Sequence, residues 1–477
     1  MKRLLTVLLM ATALLGVACG ASGDGDEPAE GTSAENAGAS TDEVATTASF
    51  GDLDTTLCGD GDFSVDPAEA GNGTGTDKLY IGVPNDRSSE IRPGLNKVMY
   101  DASVAYADWC NEQGGIGGLQ IEVIDLDAAL FNVEAAMTEA CTSVFALVGG
   151  GLAQDQLQFS GKEGSDFHQC GLIDLPGYTV SAEKAGSNGQ VQPIPNSPDT
   201  TPNTWFRDFQ ALQPEAMEKW GVLWGELPSL EVLKIKYEAV AEDIGDVEIV
   251  PAQAYPPTGA TDWSPHSQKL ISTGATSFTW VGEATNLASF LVNLRQQGWE
   301  GTPLLEANMY NPVLPDAGEA ADGAVVRLAY HPFEEIDRWP AVQQYVDMVT
   351  ERVDGGEIGQ LGMQSLSAWL LFTLAANACG EKDDGVLTRT CILEEAAAVD
   401  DWTGGGMHAP QDPAAAGETR ANPCGLLLVV EDGEFRRLYP EIGGDGDDGD
   451  GFHCPDDGVT TVTGDVGEGK VDPDRPI

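Results

Sequence analysis

The sequence predicts a two-lobed α/β fold, each lobe a parallel sheet flanked by helices, the two joined by a hinge. Three observations predict it. Short apolar, strand-like runs alternate with longer stretches of helical spacing from Lys78 onward. A Pro/Asn/Thr-rich break from Gln192 to Thr204 interrupts the alternation, which then resumes. The 477 residues are enough for more than one domain of about 150 residues.

The elements follow in order. Lys78–Val83 reads as a buried strand, and Pro84 to Glu90 as a polar loop. Leu95, Val98, Met99, Ala102, Ala105, Tyr106 and Trp109 mark one face of a helix. Ile121–Ile124 is the next strand, Val133–Phe145 a helix, and Ala146–Val148 a strand running into Gly149-Gly150-Gly151. A helix over about 153–168 precedes the strand Leu172–Leu175. Beyond the break, strands are expected at 222–224, 247–250, 277–281 and 303–305, with helices at 230–244, 262–273 and 287–297. Such alternation implies right-handed crossovers and parallel strands. Helices at 339–353 and 361–378 come next. Leu426–Glu431, Asp432-Gly433 and Phe435–Tyr439 then read as strand, tight turn and strand.

Acids outnumber bases 77 to 24, for a net charge of −53. A surface that negative repels nucleic-acid backbones and anionic lipid heads, so neither is an expected partner. The chain has no G-x-S-x-G elbow, no H-E-x-x-H and no P-loop, and no catalytic constellation stands out. No cofactor is expected.

The first residues read as an address. Met1-Lys2-Arg3 is a basic start, Leu4 to Leu15 a short apolar run, and Gly16-Val17-Ala18-Cys19 a small-residue ending. The run is shorter than the roughly 20 residues a membrane span needs. The ending resembles the lipobox of bacterial lipoproteins, with Gly16 where leucine is commonest. That resemblance implies a signal peptide over 1–18 and a lipid on Cys19; an ordinary secretory signal cut nearby is the alternative. Residues 20–57 hold no Lys or Arg, and Phe50 is their one aromatic. They are expected to form a solvated acidic linker.

Cys19 apart, the cysteines are Cys58, Cys110, Cys141, Cys170, Cys379, Cys391, Cys424 and Cys454. An even number in an exported chain suggests disulfides, with on the order of a hundred pairings open. Cys379 and Cys391 flank a short polar loop and are the easiest pair. Cys110–Cys141 would link two neighbouring helices, and Cys424–Cys454 would clip the C-terminal segment. Cys58–Cys170 is left by elimination. The histidines are scattered and no zinc spacing occurs, so no metal site is expected. In the run Asp445–Gly451, Gly449, Asp450 and Asp456 fall where an EF-hand loop wants a ligand, a glycine and a glutamate, so it reads as a solvated loop.

Several segments together resemble type I periplasmic solute-binding proteins, near the leucine/isoleucine/valine-binding group of ABC transporters. Asn111-Glu112-Gln113-Gly114-Gly115-Ile116-Gly117-Gly118 is similar to that family's turn into its second strand. Thr261-Asp262-Trp263-Ser264 resembles a helix start, and Gln296-Gln297-Gly298 a helix end. The resemblance covers roughly residues 78–440. It implies ligand capture between lobes by hinge closure, no chemistry on the ligand, and delivery to an ABC permease from a lipid anchor on the outer face of the cytoplasmic membrane. The corresponding division is an N-terminal lobe over 58–200, a C-terminal lobe over 201–325, a return to the first lobe over 326–405, completion of the second over 406–455, and an acidic tail over 456–477.

In open parallel sheets, ligands lie beyond the carboxyl ends of strands, near helix N-termini. That places Asp86, Ser88, Gly150, Gly151 and Tyr178 as candidates on the first wall, the glycines because bare N–H groups could hold a carboxylate. It places Glu283, Thr285 and Tyr310 on the second. By position Glu283 matches the family's acidic residue for a ligand ammonium group. Glycines replace the Ser/Thr common after the third strand, so an amide or urea-like ligand stands beside branched-chain and other amino acids. A sensory component of the same fold, and less so an exported α/β hydrolase, are the alternative functions.

Overall fold

The computed structural model describes residues 49–71, 76–156, 166–414, 418–464 and 466. The segment expected as signal peptide, Cys19 and the segment expected as linker up to residue 48 lie outside them, as does most of the helix expected over 153–168.

The packed chain begins before residue 58. Phe50 and Leu57 are buried in the first core. Gly51 N–H donates to Gln344 Oε1, and Asp52 N–H to the Gly405 carbonyl. Residues 49–57, expected as linker, are therefore fixed by the one aromatic ring that segment carries.

The N-terminal lobe contains β1 (Ser64–Val65), β2 (Lys78–Asn85), α1 (Lys97–Glu112), β3 (Gln120–Asp127), α2 (Val133–Ser143), β4 (Ala146–Val148), α3 (Asp166–Gln169), β5 (Asp174–Leu175) and α4 (Ala182–Ala185). Four strands form a wholly parallel sheet in the order β3-β2-β4-β5. The turn after α1 has four glycines at positive φ: Gly114, Gly115, Gly117 and Gly118. A Cβ on Gly118 would lie 2.1 Å from the Gly61 carbonyl oxygen. This run is a helix stop built from conformations that side chains disfavour, and it feeds directly into β3.

The C-terminal lobe starts with β6 (Thr200–Pro202), α5 (Thr204–Leu212), β7 (Lys219–Gly225), α6 (Pro228–Ile244), β8 (Glu248–Ile249) and β9 (Gln253–Tyr255). It continues through α7 (Ser264–Thr273), β10 (Ser277–Val281), α8 (Ala284–Gln296), β11 (Thr302–Leu305) and β12 (Val325–Leu328). Strand β12 was not expected, because Arg327 interrupts its apolar run.

The chain then returns to the first lobe with α9 (Pro340–Arg352), α10 (Gln360–Lys382), β13 (Val386–Leu387) and α11 (Arg389–Ala397). Helix α10 is buried along most of its length, as its apolar run requires. Its Trp369 donates from Nε1 to Ser103 Oγ on α1 at 2.9 Å. The second lobe is completed by β14 (Leu426–Glu431), β15 (Glu434–Tyr439) and β16 (Val459–Thr461).

The larger sheet runs β15-β14-β12-β11-β10-β7-β8, with β9 also on β7. It is parallel up to β12, and the β14–β15 hairpin is antiparallel. The second lobe is thus a parallel sheet with an antiparallel edge rather than purely parallel. Strand β16 pairs with β6, so the segment from 456 onward is not only a tail.

Successive core residues show where the chain changes lobe. Val191 belongs to the first core and Trp205 to the second lobe; Leu328 to the second and Tyr330 to the first; Met407 to the first and Ala409 to the second. Three crossings therefore make the hinge.

The eight cysteines among the described residues are all paired. Cys379–Cys391 and Cys424–Cys454 are as expected. The other two pairings differ: the bonds are Cys58–Cys110 and Cys141–Cys170, not Cys110–Cys141 and Cys58–Cys170. The reason is the turn after α1. Gly59 N–H donates to the Gly115 carbonyl, which holds Cys58 against the end of α1. The loop at Asp445–Gly451 closes on itself, Asp447 accepting from the N–H groups of Gly443, Gly449 and Gly451. Among the described residues, no group of His, Cys, Asp and Glu is placed to hold a metal. Nor is any described helix long and apolar enough to cross a membrane.

Candidate ligand site

A cavity of about 360 Å³ lies between the lobes, and the first two crossings line it. Direct hydrogen bonds already join its two walls. Arg92 Nη2 donates to the Pro257 carbonyl at 2.5 Å, and Ser229 Oγ to the Ala153 carbonyl at 2.7 Å. Most of the lining surface is apolar, the usual balance for a small-molecule pocket.

The first wall is built from loops at the carboxyl ends of β2, β3, β4 and β5. Asp86, buried after β2, accepts from Leu130 N–H at 2.7 Å and Ala153 N–H at 2.9 Å. It fixes two loops that reach the cavity and does not line the cavity itself. Burial pushes its carboxyl up from the ordinary range, and the two N–H groups hold it partly down. Asn96, at the start of α1, donates from Nδ2 to Tyr178 Oη at 2.7 Å and to the Gly151 carbonyl at 3.2 Å. Tyr178 thereby presents a fixed ring to the cavity. Burial and the nearby charges of Asp86 and Asp155 keep its phenol protonated.

The glycines after β4 shape this wall. Gly149 and Gly151 N–H groups donate to the Leu175 and Pro84 carbonyls, and the Gly150 carbonyl accepts from Gly177 N–H. A Cβ on Gly151 would lie 2.7 Å from the Tyr178 ring, and one on Gly150 would lie 2.3 Å from the Pro84 ring. Neither glycine lines the cavity. Ser88 is exposed, its N–H on Asp127 Oδ2 at 3.0 Å.

On the second wall, β10 ends in Trp280-Val281 and runs through Gly282 to Glu283. Trp280 is fully buried, stacked on Tyr255 with ring centres 4.2 Å apart. Its Nε1 has no hydrogen-bond partner. A Cβ on Gly282 would strike the Tyr255 hydroxyl, which donates to the Val281 carbonyl. Glu283 caps α8 without a side-chain cap bond. Its carboxylate accepts no hydrogen bond from the described residues. Burial raises its pKa and Arg92, from the opposite wall, lowers it in part.

Thr285 and Tyr310 are not brought to the cavity. Thr285 is exposed on the first turn of α8. Tyr310 turns away, stacking on Phe333 while its hydroxyl donates to Glu334 Oε2 and accepts from Phe333 N–H. Of the sequence candidates, Tyr178 and Glu283 face each other across the space. Arg92, Trp280, Lys236, Arg327 and Tyr330 also line it and were missed. The lone arginine in the apolar run of β12 was the one available signal.

A sequence profile of the periplasmic binding protein family matches residues 78–422, and the chain belongs to that family. It is accordingly an extracytoplasmic substrate-binding protein of type I fold and not an enzyme. Solved structures agree in fold. A leucine-binding protein from Thermotoga maritima superposes with a TM-score of 0.60 at 15% identity, over 76% of this chain and 98% of that one. The branched-chain amino acid transporter binding protein of Streptococcus pneumoniae, solved with isoleucine, gives 0.58 at 14%, over 76% and 100%. A fatty acid ABC transporter binding protein from Thermomonospora curvata gives 0.58 at 15%, over 78% and 93%. No curated protein sequence matches.

Proposed function

We propose that this chain is the solute-binding component of an ABC transporter, capturing an amino acid with an apolar side chain by closing its lobes. One observation carries the reading: Glu283 offers an unbonded, half-buried carboxylate to a cavity whose walls are otherwise mostly apolar. A buried carboxylate is costly without a cationic partner, and a ligand ammonium group supplies one. The apolar walls favour a branched-chain side chain over a urea-like solute. Tyr178 faces the ligand, while Asp86, Gly150 and Gly151 hold the loops that shape its place. Ligands bound by the leucine and isoleucine binders of the same fold are consistent with this.

A thermal-shift screen tests it. Leucine, isoleucine or valine at about 100 times its Kd is expected to add about 2.7 kcal/mol to apparent stability, and urea to add nothing beyond denaturation. A panel of apolar amino acids that leaves melting unchanged defeats the reading.

The lipid anchor at Cys19 belongs to the same proposal and rests on the small-residue ending and the acidic stretch that follow the basic start. It would hold the protein beside its permease. Expressed in a bacterial host, the wild-type chain is expected in the membrane fraction and Cys19→Ser in the soluble fraction. Equal partition of the two would exclude the anchor.

A further inference from the structure

Two cations line the hinge end of the cavity, and only Arg327 has a carboxylate at ion-pair distance. Lys236 on α6 is 3% exposed. Its Nζ donates to Asn196 Oδ1 at 2.9 Å and the Ser197 carbonyl at 2.5 Å, both neutral acceptors on the first crossing. No described carboxylate lies within ion-pair distance of it. Burial lowers its pKa to about 8, with Glu306 and Asp199 raising it and Arg327 lowering it further. At neutral pH it is still mainly an ammonium.

Arg327 on β12 donates from Nε to Glu306 Oε2 at 2.7 Å. The other oxygen of Glu306 takes the Tyr237 hydroxyl. Glu306 is thus fully engaged in aiming Arg327, and the two terminal amino groups of the guanidinium bond no described residue. Tyr330, 1% exposed on the second crossing, lines the same cavity with an unpartnered hydroxyl. At ion-pair distance the two cations share one carboxylate whose oxygens are both already bonded, which leaves this end rich in donors. Toward the mouth the character reverses: Phe131 is 60% and Ile91 38% exposed there, beside Leu130, Leu227 and Leu230.

We propose that Lys236 and Arg327 form the subsite for the carboxylate of the solute, whose apolar body lies toward the mouth among Leu130, Phe131, Leu227 and Leu230. This deepens the transport reading and names the substrate class as amphipathic monocarboxylates, with or without an amino group. An unpaired buried ammonium and an unspent arginine fork are what a carboxylate satisfies. The competing account makes Lys236 only a pin between α6 and the first crossing, which gives the site no charge preference.

Calorimetry with octanoate, octanamide, octylamine and leucine separates them, using wild type, Lys236→Met and Arg327→Gln. Octanoate is expected to bind wild type about 10- to 100-fold more tightly than octanamide, as a charge-assisted bond predicts, and octylamine most weakly. Both variants should bring the octanoate-to-octanamide ratio toward one. Equal binding of octanoate and octanamide by wild type overturns the proposal, and that ratio decides even if a variant fails to fold. Failure of both octanoate and leucine to bind also overturns it. Leucine bound equally by wild type and both variants overturns the subsite but leaves the amino-acid reading standing. Octanoate bound in a Lys236-dependent way without leucine supports the subsite and defeats the amino-acid reading.

Discussion

Trp280→Ala should lower the unfolding free energy by about 3–5 kcal/mol, the cost of emptying a large buried aromatic site. The indole is fully buried at the end of β10. It stacks between Tyr255 and Phe290, with centroids 4.2 and 5.4 Å away, and its edge meets Trp263 at 5.7 Å. Those rings belong to β9, α7's N-cap and α8, so one side chain joins several elements behind the second wall. The surroundings cannot collapse without shifting β10, which leads into Glu283 at the start of α8. Trp280→Phe keeps most of the stacking and removes an N–H that has no partner, so it should cost less than about 1.5 kcal/mol. Urea unfolding of wild type and the two variants checks both. Equal losses for Ala and Phe would show that stacking does not carry the effect.

The second large effect is expected at Glu283. On the proposed reading, Glu283→Lys should weaken leucine binding by about 100-fold or more, because a cation would meet the ligand ammonium and face Arg92 across the cleft. Glu283→Gln keeps the shape without the charge and should lie between the two. Octanoate, having no ammonium, should bind Glu283→Gln about as well as wild type. Leucine titrations with circular dichroism as a folding control measure this. Unchanged leucine affinity in Glu283→Lys would remove the residue from the site.

Much of the fold was legible because its signals are local. The strand Ser277–Val281 appears at its expected bounds, and α9 and α10 begin within about two residues of the expected starts. The glycine turn after α1 was readable as a helix stop because positive φ leaves a compositional mark. The disulfide partners of Cys58 and Cys141 were not, since spacing along the chain says nothing about which loops and helix ends meet.

The site was half legible for a related reason. Position after a strand marks a loop that can reach the cleft, and it found Tyr178 and Glu283. It cannot tell which way a side chain turns, and Tyr310 turns inward to Phe333. Lys236 was hidden by the ordinary habit of lysine on helices, which is exposure. Its burial follows from the first crossing passing over α6, a contact between residues about 40 apart in sequence.

The interleaving of the lobes bears on how the chain is made. The first lobe lacks its central helix until α10 is added, after the whole parallel part of the other sheet. A nascent polypeptide ending near residue 340 would expose the apolar faces that Leu366, Trp369 and Phe372 later cover. Neither half can finish assembling from N-terminal sequence alone, so maturation is governed by contacts far apart in the chain, which form slowly. For a protein that leaves the cytoplasm, that delay is compatible with crossing the membrane before the tertiary structure closes.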